Sequence, residues 1–142
     1  MTGKVIADTV AIVGFLSETD QWHENAFSFF KKLPKPFYTC EAVITESCFL
    51  LRDSINGEKQ VLDLIANDVL RIDFSIESEV GSLNSLMSKY KSVPMSLADA
   101  CLVRMTEILD ASILTYDTDF EIYRKNGRHR IPLIGVDDKY NK

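Results

Sequence analysis

Four acidic residues stand where a carboxylate is awkward, and their surroundings limit what each can do. Asp8 ends the short apolar run from Lys4 to Ala7, and Asp117 follows Thr115-Tyr116 at the end of another. In open parallel sheets, sites form at the carboxyl ends of strands, so both side chains can face one crevice. Each can equally cap the helix that follows, which Asp does well. Glu46 differs. On a helix its neighbours are Ala42, Val43, Phe49 and Leu50, with Ile44, Cys48 and Leu51 opposite. This setting predicts a buried helix, where a carboxylate is costly unless paired, protonated or bound to a cation. A buried salt bridge and a ligand role both satisfy that condition. Ser96-Leu97-Ala98-Asp99 matches the capping box, and Asp99 lies at the edge of its helix's apolar stripe beside Thr106 and Asp110.

Other chemistries lack their residues. No G-x-x-x-x-G-K-[ST], G-x-G-x-x-G or G-x-S-x-G occurs. Asp117-Thr118-Asp119 is not an EF-hand loop, which wants Gly and Glu where Ile122 and Arg128 stand. An aspartyl nucleophile of the haloacid dehalogenase type opens its fold with D-x-D, whereas only 23 residues follow Asp119. Cys40, Cys48 and Cys101 form no C-x-x-C, and apolar neighbours suggest reduced core thiols in a cytoplasmic protein. His23 and His129 are far apart in the sequence, so zinc is not expected.

The elements that must position these acids can be read from patterning. The chain has 142 residues, 46% hydrophobic and 26% charged, the composition of one globular domain. Its longest apolar run, Val10 to Leu16, is far too short to span a membrane. Strands are expected at Lys4 to Ala7, Phe37 to Thr39, Leu70 to Phe74, Ser112 to Tyr116 and Ile131 to Ile134. Helices are expected at Thr9 to Leu16, from an Asp20 cap to Lys32, and at Glu41 to Leu51 and Glu58 to Ala66. Further helices are expected from a Ser75 cap through Ile76 to Tyr90, at Ser96 to Leu109, and at Phe120 to Lys125. Short buried strands alternating with helices predict a three-layer α/β/α sandwich with a mostly parallel sheet of four to five strands.

Taken together, the residues resemble those of the PIN domain, a small metal-dependent nuclease fold. The matching segments are Ile6-Ala7-Asp8-Thr9, Thr45-Glu46, Ser96-Leu97-Ala98-Asp99-Ala100 and Leu114-Thr115-Tyr116-Asp117-Thr118-Asp119-Phe120. Their acids succeed one another at 38, 53 and 18 residues, in an order that suits the family from end to end of residues 1–142. The resemblance implies one acidic pocket made by Asp8, Glu46, Asp99 and Asp117, holding one or two Mg²⁺ or Mn²⁺ ions. Thr115 and Asp119 are then candidates to orient Asp117 or a metal-bound water. The implied activity is a Mg²⁺-dependent endoribonuclease similar to VapC-like toxins, which are typically homodimers held inactive by an antitoxin. A catalytically silent PIN-like RNA- or protein-binding module is the alternative.

For RNA, the dense basic stretch Arg124, Lys125, Arg128, His129 and Arg130 is the candidate phosphate-binding segment. The cluster Trp22, Phe27, Phe29 and Phe30 is either core or a partner surface. Against 16 Lys and Arg the chain carries 21 Asp and Glu, a net charge of −5. Four acids committed to metal would leave a balance of −1, so net acidity does not exclude a nucleic-acid substrate.

Overall fold

The computed structural model describes residues 3–136; the ends of the expected 1–142 domain, residues 1–2 and 137–142, lie outside the described residues. Strand β1 (Val5–Ala7) runs directly into helix α1 (Thr9–Leu16) through Asp8, whose backbone is extended. Its carboxylate accepts the Thr9 N–H at 2.6 Å, so the residue that ends the strand also starts the helix. Helix α2 (His23–Lys32) stops before Pro34 and Pro36, and strand β2 (Phe37–Thr39) comes after them. Next come α3 (Glu41–Leu50), α4 (Gly57–Ala66), β3 (Leu70–Ile72), α5 (Val80–Lys89), α6 (Leu97–Leu109) and β4 (Ser112–Thr115). The described chain closes with β5 (Arg124–Lys125), β6 (His129–Arg130) and β7 (Leu133–Gly135).

Five strands pair in the order β3-β2-β1-β4-β7, every pair parallel. Central β1 has Val5, Ile6 and Ala7 wholly buried, as a strand covered on both faces requires. Helix α1 packs with α2, α3 and α4, while α5 packs on α6, which lies against β1 and β4. The result is the expected three-layer α/β/α sandwich. Among the described residues, no helix is long and apolar enough to cross a membrane.

Several boundaries depart from expectation. The segment Phe120 to Lys125 is not a helix: a 3-10 turn at Thr118–Glu121 gives way to the antiparallel β5–β6 hairpin. Asn126 and Gly127, both at positive φ (52° and 80°), reverse the chain within the three-residue connection between paired Lys125 and His129. Asn-Gly favours this turn because Gly takes that geometry without steric penalty. The helix expected from Ile76 begins as a 3-10 turn at Glu77–Glu79, and Ser75 caps that turn by accepting the Ser78 N–H. Asp20 accepts the Trp22 N–H one residue before α2, whose own cap position is Trp22.

The clearest correction concerns α3. Only Val43 and Ser47 on this helix are buried, while Glu46 is exposed and Phe49 and Leu50 are 59% and 52% exposed. The helix turns a narrow face inward, and its outer apolar face has no element over it among the described residues. Burial of Glu46, inferred from apolar neighbours, is therefore wrong. The aromatic cluster mostly serves the interior: Phe30 is buried, stacked on Phe15 at 4.2 Å and set against Phe37, and only Phe27 of the four is exposed.

Candidate active site

Parallel pairing of β1 with β4 sets Ala7 opposite Leu114, so the two strands end side by side. Each strand leads into an aspartate, β1 directly into Asp8 and β4 through Tyr116 into Asp117. The Asp8 N–H donates to the Leu114 carbonyl at 3.2 Å, continuing the ladder to the start of α1. Thr115 then ties the two ends together. Its hydroxyl donates to Asp8 Oδ2 at 2.7 Å and accepts the Asp117 N–H at 3.0 Å. Asp117 Oδ1 in turn accepts the Asp119 N–H at 2.9 Å, capping the 3-10 turn.

The third acid arrives from α6. Ser96 and Asp99 form a reciprocal capping box, with Asp99 N–H donating to Ser96 Oγ at 3.0 Å and Ser96 N–H to Asp99 Oδ2 at 3.3 Å. The same Oδ2 also accepts the Tyr123 hydroxyl at 3.1 Å. Each aspartate is thus a helix or turn cap and a member of one acidic cluster. The two roles do not compete, because a cap uses only part of a carboxylate's lone-pair capacity.

The charge of Asp117 reaches both Asp8 and Asp99, and that of Asp99 reaches Asp8. Burial pushes the Asp8 carboxyl up to about 7; the Thr115 and Thr9 hydrogen bonds oppose the rise, and the negative charges of Asp99 and Asp117 add to it. Asp99 is also held above the usual carboxylate range, mainly by burial, with Asp117 contributing. Asp119 is raised by partial burial and then by Asp117. No basic side chain balances this charge: the ion pairs among the described residues are Lys59–Asp63, Arg71–Asp68, Arg104–Glu79, Arg104–Glu107 and Lys125–Asp110.

Buried like charges without a counter-charge suit a divalent cation, and carboxylate oxygens are the donors that Mg²⁺ and Mn²⁺ prefer. The Thr9 hydroxyl, buried beside Asp8 with no partner among the described residues, is a further oxygen awaiting a water or an ion. Spacing is loose. Among the described residues, no three acid, histidine or cysteine side chains are grouped to hold a metal directly. Mg²⁺ keeps several of its own waters, so a wide acidic ring still fits it.

The remaining expected residues are placed differently. Glu46 is exposed and has no hydrogen bond or ion pair among the described residues. At the start of α3, Cys40 lies close enough to the cluster to sense the Asp8 charge. Arg124 is turned inward: Nη1 donates to the Glu121, Ile122 and Tyr123 carbonyls at 2.7, 3.1 and 3.1 Å. Lys125 pairs with Asp110. Arg128, His129 and Arg130 are exposed and have no side-chain partner among the described residues. The hairpin is moored to α6 by Asn126 N–H to Glu107 (2.6 Å) and to α5 by Lys89 to the Gly127 carbonyl (2.9 Å). Sequence reasoning overlooked Tyr123, which touches Asp99, and Thr9. Both lie within three residues of residues singled out, but nothing in their types marks them.

Comparison with known proteins agrees with this geometry. No curated protein sequence matches the chain. Among solved structures, VapC20 of Mycobacterium tuberculosis, described as a toxin that cleaves the sarcin-ricin loop, superposes with a TM-score of 0.70 at 17% identity. The match covers 84% of this chain and 94% of that one. The PIN domain family model matches residues 5–126, a span that holds all four acids and ends at the hairpin turn. The chain belongs to the PIN domain family.

Proposed function

We propose that this protein is a Mg²⁺- or Mn²⁺-dependent endoribonuclease and the toxin component of a toxin–antitoxin pair. The observation that carries the nuclease reading is the gathering of Asp8, Asp99 and Asp117 from three separate elements without a balancing cation. Asp8, Asp99 and Asp117 would hold one or two ions, with Glu46 reaching in from α3. A bound ion supplies a more acidic water and positive charge at the scissile phosphate. Thr115 holds the Asp8 carboxylate in place through its 2.7 Å hydrogen bond. Asp119 lies beside Asp117, where it can accept a hydrogen bond from an ordered water.

Arg128 and Arg130 would draw the RNA backbone, with Arg124 and Lys125 shaping the hairpin that presents them. Single-stranded or looped RNA is the expected substrate, because its backbone can enter an open acidic crevice. The likeness to VapC20, described as a toxin, supports the toxin and antitoxin reading; a homodimer and a cytoplasmic setting belong to the same proposal. A short fluorogenic oligoribonucleotide tests the reading. Cleavage is expected with Mg²⁺ or Mn²⁺, to be lost in EDTA, and to fall at least about a hundredfold in Asp8→Asn, Asp99→Asn and Asp117→Asn, the scale of losing electrostatic stabilisation at a reacting centre. Cleavage that persists in EDTA or in those variants overturns it.

One observation favours a second reading. Glu46 stands exposed with no hydrogen bond or ion pair among the described residues, which suits a catalytically silent module that binds RNA or protein. That reading requires RNA to be bound but uncut at every metal concentration.

A further inference from the structure

Tyr123 is the one aromatic hydroxyl among the described residues that donates to a member of the acidic cluster. Its side chain is wholly buried, edge-on to Phe120 (5.5 Å) and Tyr90 (5.1 Å), so the ring has little freedom to turn away. Two acceptors compete for its single proton: Asp99 Oδ2 at 3.1 Å and the Pro94 carbonyl at 3.4 Å. The charged acceptor at the shorter distance wins. On Asp99, the capping N–H of Ser96 and the Tyr123 hydroxyl both converge on Oδ2. Oδ1 accepts no hydrogen bond among the described residues. Two donors on one oxygen fix the plane of the carboxylate and keep the other oxygen free.

We propose that Tyr123 is a positioning residue that holds Asp99 with Oδ1 available to a divalent cation. The proposal rests on the metal-site reading above and deepens it. A helix cap alone needs only the Ser96–Asp99 pair, which closes within four residues. The Tyr123 bond comes from 24 residues away, across the 3-10 turn that Asp117 caps. It therefore ties the orientation of Asp99 to the turn that also places Asp117. The bond beside it is separate: the Arg124 N–H donates to the Tyr90 hydroxyl at 2.9 Å, and that hydroxyl touches no member of the acidic cluster among the described residues.

Tyr123→Phe removes one oxygen and keeps the ring. Partners that orient metal ligands are worth about tenfold or more in metal affinity. Half-maximal cleavage of the fluorogenic oligoribonucleotide should then require about tenfold more Mg²⁺, with KM for RNA unchanged. The rise in melting temperature on adding Mn²⁺ should shrink in parallel, a readout that does not depend on catalysis. Tyr90→Phe, which loses a phenol bonded only to backbone, should leave both quantities as in the parent protein. Unchanged Mg²⁺ and Mn²⁺ responses in Tyr123→Phe overturn the proposal, including the case in which its metal-free melting temperature falls.

Asp99→Asn separates this failure from failure of the site reading. A metal response that survives Asp99→Asn defeats the site itself, whereas one lost there but intact in Tyr123→Phe defeats only the role of Tyr123. Should Tyr123→Phe not fold, 3-fluorotyrosine at position 123 in the otherwise unaltered protein provides the reading. Its fluorine resonance should move over the same Mg²⁺ range that supports cleavage. A resonance that ignores Mg²⁺ overturns the proposal.

Discussion

Replacing Asp8 by Asn should make the metal-free protein more stable while removing its response to metal. Raising a carboxyl from 3.8 to about 7 by burial and like charge corresponds to about 4 kcal/mol of folding free energy, at about 1.4 kcal/mol per pH unit. That is an upper bound, because Asn cannot reproduce every contact of the carboxylate. The Thr115 hydroxyl loses its charged acceptor, a change worth about 1–2 kcal/mol. The net gain is about 2 kcal/mol at pH 8, or roughly 6–8 °C in melting temperature for a domain of this size.

The sign depends on pH in a defined way. Below about pH 4 the parent carboxyl is protonated in both folded and unfolded chains, and burial carries no charge penalty. Between about 4 and 7 the unfolded chain releases its proton first, so stability of the metal-free parent falls as pH rises. Above about 7 the penalty is complete. The assay is thermal melting in EDTA from pH 5 to 8.5, repeated with Mg²⁺. Asn should gain its advantage progressively as pH rises, and Mg²⁺ should restore the parent by binding the ionised site but leave the variant unmoved. An Asn variant less stable than the parent at pH 8 in EDTA, or a gap that does not vary with pH, refutes the reasoning.

Three further outcomes are expected. Arg128→Ala with Arg130→Ala should weaken RNA binding and reduce the slope of log affinity against log salt by about 1.4, the value for losing two phosphate contacts on a single strand. Arg124→Ala should instead lower melting temperature, because its guanidinium bonds only to main-chain carbonyls. Iodoacetamide on the native protein, followed by mass spectrometry, should label Cys48 before Cys40 and Cys101. The latter two are buried, whereas Cys48 is half-buried. Early labelling of Cys40 would contradict the packing.

The sequence by itself determined the strand–helix alternation, the parallel sheet and the caps. These rest on local chemistry: Asp8 to Thr9 is one residue apart, Ser96 to Asp99 three, and Asn126-Gly127 reverses the chain on its own backbone preferences. It also marked Asp8, Asp99 and Asp117 as unusual, but left each open between a cap and a site. Tertiary structure kept the caps and joined two of the acids' strand ends, through a Thr115–Asp8 bond spanning 107 residues that no local pattern encodes. Only the packed structure left Glu46 exposed, because α3 buries a narrow face at Val43 and Ser47 and leaves Phe49 and Leu50 largely in water. It likewise folded Arg124 and Lys125 back onto the protein while leaving Arg128 and Arg130 free. Charge along a chain is legible as composition; whether a charge meets a partner depends on which distant backbone passes beside it.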